Sequence, residues 1–120
     1  IAHHSSSMPD GSYGGNPAGY ILSFPEGRVY FSGDTALFLE MELYGREAID
    51  LAILCIGDHF TMGPKDSIEA IKLLQPAKVV PAHYNTWPPI EQDAEQWASQ
   101  VESLTSATPV VLEVNGVIEL

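Results

Sequence analysis

Cysteine is almost absent: Cys55 is the only one in 120 residues, so no disulfide can form within the chain, and such usage fits a reducing compartment, the cytoplasm. Basic residues are nearly as scarce. Five Lys and Arg stand against sixteen Asp and Glu, a formal charge of -11 whose field repels phosphate backbones and disfavours nucleic acid as a partner. No apolar run approaches the roughly 20 residues needed to span a bilayer, so no membrane association is expected. An initiating Met is also lacking. The chain opens on Ile1-Ala2, which reads as the end of a strand entering a polar cluster, as though its beginning lay elsewhere.

What remains is ordinary for a folded domain. Hydrophobic residues make up 45% and charged residues 18%, too apolar for a disordered chain, and the length is enough to bury a core. Residues 5–17, rich in Ser, Gly, Pro and Asn, have no apolar period and read as a loop. Residues 18–24 and 28–32 are short β-prone runs joined through Pro25-Glu26-Gly27, which predicts a hairpin. A short helix is expected over 36–44, capped by Asp34 or Thr35. Residues 51–56 form a continuous apolar run, the pattern of a strand covered on both faces, in which Cys55 is a buried, inert thiol.

From Pro64 the period changes. Ile68, Ile71 and Leu74 share one helical face, with Pro64 near the first turn and Pro76 as the stop. Residues 78–82 then read as a strand, and Ile90, Ala94, Trp97, Val101 and Leu104 mark a second amphipathic helix, whose opening turns carry Glu91, Asp93 and Glu95. Asn115-Gly116 between apolar runs predicts a closing hairpin.

The informative feature is positional. His3 and His4 follow Ile1-Ala2, Asp34 follows 29–32, Asp58 and His59 follow 51–56, and His83 follows 79–82. In layered α/β architectures the carboxyl ends of neighbouring strands lie side by side and bind ligands there, so these residues are expected to converge at one rim. Imidazole and carboxylate together suit Zn2+, Mn2+ or Fe2+. Any one of them alone is equally a surface histidine or a helix cap, but their recurrence at four strand ends is harder to ascribe to coincidence.

The strings AHHSSS (2–7), GNPAGY (15–20), FSGDT (31–35), GDHFTMGP (57–64) and PAHYNT (81–86), in this order, resemble metallo-β-lactamase-fold hydrolases of the group similar to L-ascorbate-6-phosphate lactonase. The resemblance implies an α+β fold: half of a four-layer αββα sandwich, a mixed sheet with helices on its outer face. It also implies that residues 1–120 form the C-terminal half of a single metallo-hydrolase domain. The signature His-x-His-x-Asp-His does not occur, so the N-terminal half would come from a second chain or a cleaved fragment of the same protein. By the same resemblance His4, Asp34 and His83 are metal ligands, Asp34 bridging two metals. Asp58 and His59 are candidates to orient substrate or water or to pass a proton to the leaving group.

One or two divalent cations per site are implied, zinc first, with manganese or iron(II) as alternatives. The activity implied is hydrolysis of a small-molecule lactone or other ester through a metal-bound hydroxide. The rival readings are a phosphodiesterase or nuclease of the same fold, and a non-catalytic subunit that binds the complementary half. Homo-oligomerisation is left open. Ser5, Ser6 and Ser7 beside His4 do not make a triad, since no third orienting group can be named. Tyr84, Trp87 and Pro88-Pro89 either wall a substrate pocket or pack the loop before the last helix.

Overall fold

The computed structural model describes residues 7–120. The segment after the opening loop folds into the expected hairpin, strand β1 (Tyr20–Phe24) antiparallel to β2 (Gly27–Phe31), with Ile21 opposite Tyr30 and Leu22 opposite Val29. Strands β3 (Leu51–Cys55) and β4 (Lys78–Ala82) add to β2 in parallel, and a two-residue strand β5 (Thr108–Pro109) closes the mixed sheet in the order β1-β2-β3-β4-β5. Parallel neighbours need crossovers, and helices supply them here. Helix α1 (Met41–Gly45) lies between β2 and β3, α2 (Pro64–Leu74) between β3 and β4, and α3 (Ala94–Leu104) between β4 and β5.

The helices cover one face only. Tyr30, Ala52 and Val79, successive partners across the sheet, are buried with Leu54, Met41, Ile71, Leu74, Trp97 and Val101 in one core. Trp97 ties α3 to α2 by donating its indole N–H to Ser67 Oγ at 2.8 Å, and Ser67 Oγ donates in turn to Pro64 O at 2.8 Å. Side chains on the opposite face are apolar too, yet Tyr20, Leu22, Phe24 and Phe31 are each more than 40% exposed. An α+β arrangement with helices on one side of a mixed sheet is therefore observed, and its second sheet face lies open.

Two expected elements differ. The helix forecast over 36–44 is confined to Met41–Gly45, because Thr35 is held on β3 instead of capping: its carbonyl accepts from Met62 N–H at 2.8 Å and from Cys55 Sγ at 3.4 Å. The C-terminal hairpin is reduced to its turn. Asn115 takes φ 67° and Gly116 N–H donates to Glu113 O at 2.8 Å, but no strands flank that turn, and Val114 and Val117 are exposed. An isolated two-stranded ribbon has too little packing to hold itself together. The last helix also starts later than Ile90. Pro88–Ile90 forms a 3-10 turn, and Asp93 caps α3 by accepting from Gln96 N–H at 2.8 Å.

Candidate metal centre

Because β2, β3 and β4 run parallel, the loops that follow them leave the same edge of the sheet. Asp34 stands just past β2 and His83 just past β4, and their side chains meet: His83 Nε2 lies 3.5 Å from Asp34 Oδ2. The pair borders a cavity of about 250 Å³ whose floor is Phe31, Ile53, Cys55 and Ala82, on the open face of the sheet. His4, the third expected ligand, lies outside the described residues, as do His3, Ser5 and Ser6. Among the described residues no third His, Cys, Asp or Glu joins the pair in a ligand cluster.

The donor set fits a divalent cation. An N–H···O hydrogen bond is shorter, about 2.9–3.0 Å. Two donors on one tetrahedral zinc, each about 2.0–2.2 Å from the ion, stand roughly 3.3–3.6 Å apart. The 3.5 Å separation of the imidazole nitrogen and the carboxylate oxygen matches the second spacing, and both side chains remain open to solvent, 36% and 50% exposed.

The backbone around them is held under strain. Gly33 (φ 61°), Asp58 (φ 69°), His83 (φ 54°) and Asn85 (φ 58°) all occupy the left-handed region, which costs a non-glycine residue about 1–2 kcal/mol. Such conformations persist where the surroundings over-determine them. Here Ser32 Oγ donates to Gly33 O at 2.8 Å and accepts from Cys55 N–H at 3.4 Å. Asn85 Oδ1 accepts from Gln92 N–H at 2.7 Å, and Gln92 Nε2 donates to Gly57 O at 3.2 Å. Gly57 packs directly under His83: a methyl group there would stand 2.4 Å from the His83 carbonyl oxygen. Cys55 is buried in this lattice as a thiol donor, as its strand position suggested.

Asp58 and His59 follow β3 at the same edge, and neither lines the cavity that Asp34 and His83 border. Asp58 lines a second cavity of about 400 Å³ with Lys65 and Asp66 of α2 and Asp93 and Trp97 beside it, its carboxylate lying against Gly63 at the start of α2, where a negative charge complements the helix dipole. The His59 ring stands edge-on to Phe60 at 4.3 Å. Phe60 in turn stacks on Trp87, centroids 5.9 Å apart and planes within 12°. Sequence reading singled out neither Phe60 nor the bracing pair Asn85 and Gln92. For Asn85 the signal was available, since Asn is one of the few residues that enters the left-handed region readily.

Comparison with known proteins places the chain in context. Residues 1–84 match the beta-lactamase superfamily domain. The chain is 58% identical over 99 residues to a UPF0173 metal-dependent hydrolase of Thermus thermophilus, covering 82% of this chain and 44% of that protein. It is 48% identical over 124 residues to a UPF0173 metal-dependent hydrolase of Thermococcus onnurineus, covering 99% of this chain and 53% of that protein. It therefore spans about half the length of these relatives. Among solved structures, Igni18, a metallo hydrolase from the hyperthermophilic archaeon Ignicoccus hospitalis, superposes with a TM-score of 0.83 at 39% identity, over 100% of this chain and 51% of that one.

Proposed function

Since the chain belongs to the beta-lactamase superfamily, we propose that Asp34 and His83 are part of the metal centre of a hydrolase acting on small-molecule lactones or other esters. One observation carries the reading: a carboxylate and an imidazole from two parallel strand ends are held 3.5 Å apart on strained, heavily braced backbone, over an open cavity. His4 completes the proposed ligand set. Zinc is the favoured cation, with manganese or iron(II) as alternatives, and one or two ions per site. A cation held there would supply Lewis acidity and would lower the pKa of water toward neutrality.

The residues of the chain do the rest. Asp34 and His83 fix where the cation sits, and Asp34 accepts a hydrogen bond from the attacking water. His59, on the loop after β3, is the group we assign to deliver a proton to the departing oxygen. Asp58, turned toward α2, acts on the site by holding that loop. The open sheet face carrying Tyr20, Leu22, Phe24 and Phe31 is, in this proposal, covered by the complementary half of the fold, supplied by the same protein or as a separate chain. Large apolar side chains exposed together on one sheet face are the mark of a surface that another segment covers. Among the described residues no helix is long and apolar enough to cross a membrane, and a cytoplasmic setting is proposed from the single thiol.

Metal analysis of the complete protein tests this. We expect one to two transition-metal ions per site, and a His83→Ala variant that folds normally yet loses bound metal and ester hydrolysis together. Full metal occupancy in His83→Ala would refute it.

A further inference from the structure

We infer that the substrate is an uncharged ester or lactone bearing a flat apolar ring, and that this ring lies against the Phe60–Trp87 pair; the inference rests on the hydrolase reading above and names its substrate class. Phe60 and Trp87 come from two different loops, those following β3 and β4, yet stack on one another at 5.9 Å while each stays nearly half exposed, 48% and 47%. Neither belongs to the buried core. Aromatic rings exposed together beside polar groups mark a place where an apolar group docks, and offset stacking on a third ring is the favourable way to extend such a pair.

Both rings sit on loops that leave the same sheet edge as Asp34 and His83. The loop bearing Phe60 is tied to the Asp34 loop through Met62 N–H and Thr35 O, 2.8 Å apart, and Trp87 follows the ligand His83 by four residues. The pair is also rigidly mounted. Trp87 leads directly into the 3-10 turn of Pro88–Ile90, and Asn85 N–H donates to Ile90 O at 2.9 Å across the base of that loop.

Charge decides the other half of the inference. All five basic residues are described, and four of them lie away from this rim, paired at or near the opposite end of the sheet. Arg28 at the start of β2 meets Glu47, Arg46 after α1 meets Glu42, Lys72 late in α2 meets Glu69, and Lys78 at the start of β4 donates to Glu119 O. Lys65 alone is near the rim end, and it lines the separate cavity shared with Asp58, Asp66 and Asp93. Apart from the cation itself, a phosphate or free carboxylate on the substrate would find no basic side chain of this chain at the rim to hold it, so the charge pairing that anionic substrates normally receive from the protein is missing on this side of the site.

Two ring-matched neutral lactones test it in the metal-loaded complete protein: dihydrocoumarin, with a fused benzene ring, and δ-valerolactone, without one. Dihydrocoumarin, an ester of a phenol, is intrinsically the more reactive lactone, so the readout is the change in its kcat/KM advantage: we expect Trp87→Ala and Phe60→Ala each to shrink that advantage several-fold, up to about tenfold for the loss of one stacking contact. Binding of chroman, the non-hydrolysable ether analogue, followed by NMR shifts in the Trp87 ring, reads the same contact without turnover and should exceed that of tetrahydropyran. Hydrolysis of both lactones at a ratio neither substitution moves, with chroman binding no better than tetrahydropyran, would overturn the ring-recognition inference alone. If neither lactone is hydrolysed, the ester-hydrolase reading fails, and this inference with it. Preferential hydrolysis of bis(p-nitrophenyl) phosphate would overturn the claim of an uncharged substrate.

Discussion

Gly57→Ala is the sharpest test of how the sheet edge builds the site. The added methyl would meet the His83 carbonyl oxygen at 2.4 Å and Ile90 Cβ at 3.1 Å, whereas real Cβ contacts essentially never fall below 3.0 Å. The loops after β3 and β4 must therefore part by at least about 0.6 Å, and the obstacle is backbone, which cannot swing aside as a side chain can. Overpacking of this kind costs about 1–3 kcal/mol. Because the clash is with the His83 backbone, the displacement falls on the residue proposed to hold the metal, and a misplacement near 1 Å can cost about 100-fold in rate. Gly45→Ala provides the control, since its methyl would meet Leu73 O at 2.6 Å and Leu74 O at 2.8 Å, a similar clash remote from the rim. Thermal unfolding and competition for metal with a chromophoric chelator should be run on both. Comparable destabilisation is expected, with metal affinity lost only in Gly57→Ala. Equal metal affinities in the two variants would refute the view that Gly57 sets the position of His83.

Tyr30→Phe should raise stability by about 1 kcal/mol in denaturant titrations, because among the described residues the buried Tyr30 hydroxyl has no hydrogen-bond partner and the ring is retained; a loss of similar size would show that the hydroxyl is satisfied. Burial, with smaller contributions from Tyr44 and Cys55, pushes the Tyr30 phenol above its ordinary value. A pKa raised on folding means the folded state keeps its proton longer, so this contribution is complete below about pH 10 and is lost as pH rises beyond it. The alkaline fall in stability should accordingly be shallower in Tyr30→Phe. Trp97→Phe should cost about 1–3 kcal/mol, and a cycle with Ser67→Ala should show coupling of about 1 kcal/mol through the 2.8 Å bond; strict additivity would show that the bond contributes nothing.

The legible parts of this molecule were those governed by local period and local chemistry. The apolar run at 51–56, the three-residue spacing of Ile68, Ile71 and Leu74, and the pyrrolidine of Pro64 at a helix start all specify their elements within a few residues, and strand β4 matches its expected bounds. The convergence of Asp34 and His83 followed from strand order alone. Residues 36–40 were misjudged because good helix formers there are overruled by Thr35, whose carbonyl is claimed from two distant segments. Asn115-Gly116 made its turn, but pairing needs a surface that local sequence cannot announce. The Phe60–Trp87 stack and the Gly57–His83 contact join residues 27 and 26 positions apart, and no periodicity records them.

Strand β1 is uncovered in a second sense: among the described residues it is the outermost strand, and none of them continues the ladder along its free row of amides and carbonyls. Tyr20–Phe24 contains no charge and no proline, the two devices by which exposed edges are normally blunted. Whatever segment pairs with that edge thus also acts as a guard against self-templated stacking. A protein synthesised from one end to the other would leave β1 vulnerable for as long as that guard is not in place.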